Sequence, residues 1–211
     1  MATIKTLVYA GGTIHDWKGC GDKIQEALAA DGRFDITRVD DDLDCLLELD
    51  PYDVIVFYHT VTEIADAQLL GLLKFVESGK GYVGIHSAAD SFRDSPTYRA
   101  FVGGYFVTHP RYREYQVSVT EVEHPITEGL DEFRVTDEQY ITSYDPRNTI
   151  LATALWKGTA MPVLWVKPWG KGRIFYNALG HNPESCSADI FKTLLVRGTV
   201  WAATRLPEEG S

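Results

Sequence analysis

Through the first half of the chain, short and almost wholly apolar runs alternate with stretches whose apolar positions recur every three or four residues. "TIKTLVYA" and "YDVIVFYH" are runs of the first kind and read as strands, the second fully buried, whereas "FDITRVD" alternates and reads as an edge strand. "DKIQEALAADG" sets Ile24, Ala27 and Leu28 at helical spacing and stops at Gly32. "DAQLLGLLKFVESGKG" does the same with Leu69, Leu72, Leu73 and Val76 before Gly79 and Gly81. "YVGIHS" completes a fourth strand, so the pattern predicts a parallel sheet with helices on both faces.

The second half changes character. "YQVSVTEV", "TILATAL", "MPVLWVKPW" and "GRIFYNAL" are strand-like and separated by turn residues, with "GKG" at Gly170 to Gly172 reading as a hairpin turn. Antiparallel strands extending the sheet are therefore expected, followed by a closing helix over "IFKTLLVRGTVWAA". Trp156, Trp165, Trp169, Tyr112 and Tyr115 fall in this half, as core or hairpin packing with some available to a subunit interface. No repeat or linker divides the chain, which predicts one domain over residues 1–207 and a disordered tail at 208–211.

Composition narrows the function. The 211 residues are 45% hydrophobic and 24% charged, with a formal net charge of −10, which repels nucleic-acid backbones and anionic membranes and suits a neutral small molecule. Cys20, Cys45 and Cys186 are odd in number and lack C-x-x-C spacing, so neither a disulfide framework nor a thiolate zinc site is expected. With no leader pattern in "MATIKTLVYAGG" and no long apolar run, a cytoplasmic protein is expected, and a homo-oligomer would be unexceptional.

In open parallel sheets ligands gather beyond the carboxyl ends of the strands, so the residues just after each apolar run carry the most information. His15, His59, His86 and His181 all stand there, and His109 lies in "GGYFVTHP". One such histidine alone is ordinarily a satisfied core or surface residue, but four in register suggest a shared rim. His124, before a proline in a connecting loop, keeps the ordinary reading. Asp16, Asp90 and Glu138 are carboxylates near the same rim, each able to orient an imidazole, act as base or ligate a metal. Asp90 equally suits a helix cap, and Trp17 is either a flat face for a sugar or a lid over core. The glycines of "AGG" belong to no G-x-G-x-x-G, and no phosphate-binding G-x-x-x-x-G-K-[ST] is present.

"AGGTIHDW", "GKGYVGIHSAADSFRDSPTYRAFVGGYFVTHP", "HPITEGLDEFRVTDEQY" and "MPVLWVKPWGKGRIFYNALGHNPE" together resemble the ThuA-like family of trehalose utilisation, nearly end to end. The resemblance implies a flavodoxin-like three-layer α/β sandwich, a variant of the class I glutamine amidotransferase-like fold, and a place in sugar metabolism. Amidotransferases of that fold carry a cysteine at the sharp turn after a strand, in a G-x-C-x-G pattern. "GIHSA" puts His86 at that place, and His181 is followed by Glu184 three positions on rather than two, so thiol-dependent glutamine hydrolysis is not expected. The family's recurring polar positions fall on His15, Asp16, His86, Ser87, Asp90, His109, Glu138 and His181, with His59 less general among them.

The candidate catalytic set is accordingly His86, His181, Glu138, His15 and Asp16, with Trp17, Ser87, Asp90, His109 and His59 as candidate substrate contacts. A 3-keto-glycoside has an acidic proton beside its ketone, so a base such as His86 or His181 and an acid such as Glu138 would suffice for elimination, isomerisation or hydrolysis. His15, His86, His109 and His181 are candidate ligands for a divalent metal such as Zn²⁺, which would polarise the ketone. The competing reading is a non-catalytic module in which the same groups hydrogen-bond sugar hydroxyls while Trp17 or Tyr105 stacks on a ring. The two part on whether alanine at His86 and His181 abolishes turnover or only binding.

Overall fold

A computed structural model describes residues 3–60 and 62–204, so the tail expected at 208–211 lies outside the described residues. The chain opens with β1 (Ile4–Gly12), α1 (Trp17–Asp31), β2 (Phe34–Asp40), β3 (Val54–Thr60), α2 (Asp66–Glu77) and β4 (Gly81–Ile85). A 3₁₀ turn at His86–Asp90 and α3 (Pro96–Val102) lead into β5 (Gly104–Thr108), β6 (Arg113–Val119), β7 (Glu132–Asp137) and β8 (Ile141–Tyr144). The chain then runs through β9 (Thr149–Trp156), β10 (Thr159–Trp169), β11 (Gly172–Asn177), α4 (Pro183–Ser187) and α5 (Asp189–Ala203).

Nine strands form one sheet in the order β2-β1-β3-β4-β11-β10-β9-β6-β7. From β2 to β11 neighbouring strands are parallel, and from β11 to β7 they are antiparallel. β3 and β4 are buried at every position, as their unbroken apolar runs require of central strands. α1, α4 and α5 pack together on one face. α2 covers the other: along β11 a side chain at Gly172 would strike Val76 of α2, while Phe175, three residues on, meets Gly198 of α5. This is the flavodoxin-like three-layer arrangement, and no helix among the described residues is long and apolar enough to cross a membrane.

β7 and α4 stand where the sequence pattern gave no element, and three further features depart from it. First, α1 begins at Trp17 rather than Asp22, because the Asp16 side chain caps it, accepting from Gly19 N at 3.0 Å, and Cys20 packs into the core at 0% exposure. Gly19 and Gly21 hide that first turn from any propensity reading. Second, β11 inserts beside β4 and runs parallel to it, in register Asn177↔Ile85, so the antiparallel extension starts only at β10. Third, β5 and β8 pair in a separate two-stranded sheet. Apolar Tyr105 and Val107 of β5 and Tyr144 of β8 are exposed, which blurs the pattern that marks a half-buried strand.

Candidate metal centre

The strand ends deliver their polar residues to one place. Gly12 ends β1 with φ 104°, and a side chain there would lie 2.4 Å from Thr60 O of β3, so only glycine lets the two strand ends approach this closely. The loop that follows brings His15 back so that its Nδ1 lies 2.7 Å from Thr60 Oγ1. At the end of β4, His86 takes φ 43°, a left-handed conformation that costs a non-glycine residue of order 1 kcal/mol or more. Two contacts hold it there. Tyr176 Oη donates to His86 O at 2.7 Å, and His86 Nδ1 donates to Ala178 O at 2.7 Å. A carbonyl only accepts, so Nδ1 carries a proton and Nε2 is the nitrogen left for the rim.

His15, His86, Glu138 and His181 each offer one ligand atom, and the four atoms lie within 4.8 Å of one another. Glu138, just past β7, sets Oε2 3.1 Å from His181 Nδ1 and 3.6 Å from His86 Nε2, while Oε1 lies 2.9 Å from His109 Nδ1. The rings of His15, His86 and His181 meet edge to face at 5.0 to 5.4 Å between centroids. Tyr140 lies against His86 at 3.9 Å and Tyr112 flanks His181 at 5.7 Å.

The charge states follow from this crowding. Burial, with the neighbouring His86 and His181, pushes His15 down to about 3 and keeps its ring neutral. Burial alone would raise the Glu138 carboxyl, but the adjacent His181 and His86 outweigh it and hold the group well below the usual carboxylate range. The adjacent Glu138 carboxylate displaces His181 upward, with burial opposing. The Glu138 carboxyl is thus set to accept hydrogen bonds or ligate rather than to hold a proton.

The donor set fits a divalent transition metal. His86 Nε2 and His181 Nδ1 are buried and lack an aligned hydrogen-bond partner. At 3.1 Å His181 Nδ1 and Glu138 Oε2 lie within ion-pair distance, yet the alignment for a hydrogen bond between them is lacking. Buried nitrogens left in this way cost free energy unless something between them accepts their lone pairs. Three imidazoles and a carboxylate are the ligand types of zinc and its neighbours, and the Ala178 carbonyl behind His86 is the outer partner such a ligand ordinarily has.

The other sequence candidates lie around this cluster in different settings. His109, with its side chain 41% exposed, reaches Glu138 from the outer side and also faces Pro110 O at 2.8 Å, and it is not one of the four converging residues. Asp16 caps α1, and Trp17 packs half-buried on the core. Ser87 is buried, and Asp90 is held by a two-pronged ion pair to Arg93 at 2.8 and 2.7 Å. His59 is buried with Nδ1 3.3 Å from Tyr9 Oη and Nε2 2.9 Å from Thr62 Oγ1. The three cysteines are free thiols and none stands at the elbow. Thr60, Tyr140 and Tyr112 were not anticipated. Thr60 directly follows His59 and was open to the same strand-end rule, whereas the two tyrosines join only through tertiary packing.

A family model described as ThuA, trehalose utilisation, matches residues 5–202. Among solved structures, a ThuA-like protein from Parabacteroides merdae is similar with a TM-score of 0.85 and 24% identity, covering 96% of this chain and 90% of that one. Another from Bacteroides uniformis has a TM-score of 0.78 and 22% identity, covering 95% and 92%. A β-galactosidase from Rahnella sp. has a TM-score of 0.63 and 18% identity, covering 92% of this chain but 31% of its own. At these identities the structural likenesses show the fold alone. No curated protein matches the sequence.

Proposed function

The chain belongs to the ThuA family of trehalose utilisation, and on that premise we propose that it is an enzyme moving protons on a sugar or keto-sugar such as a 3-keto-glycoside. His15, His86, Glu138 and His181 would hold a divalent metal, zinc being the ion their chemistry suits best. When bound there, such a metal supplies a Lewis acid for the substrate's carbonyl oxygen. The observation that carries this reading is the convergence of those four residues within 4.8 Å, with buried imidazole nitrogens lacking aligned partners.

The remaining chemistry belongs to the chain itself. His109 is more exposed than the four and its Nδ1 lies 2.9 Å from the Glu138 carboxylate, which suits it to take a proton from the carbon beside a ketone and return it to a leaving oxygen. The rings of Tyr112 and Tyr140 give the site walls that exclude water from one side of a bound sugar. Elimination or isomerisation beside a ketone requires no covalent nucleophile, in keeping with the absence of a cysteine at the elbow.

Metal analysis of the purified protein, followed by turnover of 3-keto-glycosides, tests the reading. About one equivalent of a divalent transition metal per chain is expected, lost in His86→Ala and His181→Ala together with activity. His109→Ala should keep the metal and lose about two orders of magnitude in kcat. Protein that takes up no metal, with both ligand variants turning over substrate at the wild-type rate, would sink it.

A further inference from the structure

We infer that Asp137 is a positioning residue whose carboxylate sets Glu138 and His181 into one cluster by gripping the backbone N–H groups on either side. The inference rests on the reading of that cluster as a metal centre. Asp137 ends β7, at the edge of the nine-stranded sheet, while His181 follows β11 near its middle. β10, β9 and β6 lie between them, so no ladder of strand hydrogen bonds fixes Glu138 relative to His181. The Asp137 side chain crosses that gap directly. Its Oδ2 accepts from Gly180 N at 2.7 Å, and its Oδ1 accepts from His181 N at 3.1 Å and from Glu138 N at 2.8 Å.

Asp137 is 1% exposed, so a charge stands out of water with backbone donors in place of hydration. A carboxylate only accepts, and three converging N–H groups are what it needs. An amide in its place would turn its NH₂ on at least one of those donors. The loop it grips is confined from other sides as well. Gly180 has φ 106°, a side chain there would meet the Phe191 ring at 2.8 Å, and Tyr58 Oη donates to the carbonyls of Gly180 and His181. Those contacts hold the loop against the core, but Asp137 alone among these groups also holds Glu138.

Asp137→Asn, compared with wild type by competition between the protein and a chelator for Zn²⁺ and by the visible spectrum of the Co²⁺ form, tests this. The variant should bind either ion tenfold to a hundredfold more weakly and give an altered Co²⁺ spectrum, while its circular dichroism and cooperative unfolding persist. Wild-type affinity and spectrum in a folded variant would overturn the inference. Should the wild type bind no metal, the functional reading fails separately, and amide hydrogen exchange decides this one. Protection at Gly180 and His181 that drops in the variant supports it, and protection that is unchanged overturns it. If the variant does not fold, the wild-type amides of Glu138, Gly180 and His181 must all exchange slowly, and fast exchange at the last two overturns it.

Discussion

His86 shows how one residue can be chosen by position and defined by its neighbours. The strand "YVGI" ends at it, and the elbow of related folds puts a nucleophile there, but the ring is turned by Ala178 O and the backbone is held by Tyr176. With Nδ1 turned to that carbonyl, Nε2 is the atom His86 offers at the rim, an imidazole nitrogen where the elbow of an amidotransferase has a thiol. His181 differs in charge: its proton is held more tightly than usual, so metal uptake must displace it. Affinity for Zn²⁺ should therefore fall as pH drops through and below neutrality, because protonated His181 competes with the ion. His15, held down to about 3, stays neutral and adds no competition in that range. Chelator competition between about pH 5 and 8 reads this, and a flat profile would remove His181 from the ligand set. Glu138 was legible as a carboxylate near the rim, but its ionised state was not, since that depends on imidazoles 43 and 52 positions away in the sequence.

At the scale of elements, the alternation of apolar runs and helical spacing announced β1, β2, β3, β4, α2 and α5, because each depends on burial patterns within a dozen residues. α1 was legible only from its second turn. Asp16, a candidate for chemistry, is also the cap that starts this helix one residue after His15. Asp16→Ala should cost about 1 kcal/mol of stability by denaturant titration while metal content is unchanged. Loss of turnover with full metal content and normal stability would instead give Asp16 a part in the reaction. β5 and β8 are hard to read in the sequence because apolar Tyr105, Val107 and Tyr144 stand at exposed positions, so hydrophobicity does not mark one buried face. Those strands matter to the site, since the loops that leave them and their neighbours carry His109 and Tyr140.

At the scale of the whole molecule, a metal bound by residues from four separate strand ends stabilises the native state over the unfolded one, in which no such site exists. Saturation at a hundredfold excess over Kd should add about 2.7 kcal/mol, and chelation should lower the unfolding midpoint accordingly. A midpoint indifferent to chelator and to added Zn²⁺ would mean that the four residues do not act together. The sequence by itself determined the class of fold, the first four parallel strands and the histidines at the strand ends. Periodicity and position are local properties, and the carboxyl-end rule follows from chain direction alone. Only the tertiary structure decided which of those residues meet. It sent Asp90 to Arg93 and His59 to Tyr9 and Thr62, and it brought Glu138 in from the far edge of the sheet. Some of these partners lie three residues apart and others come from strands remote in sequence, and buried groups such as Asp137 have partners among backbone atoms that no side-chain pattern records.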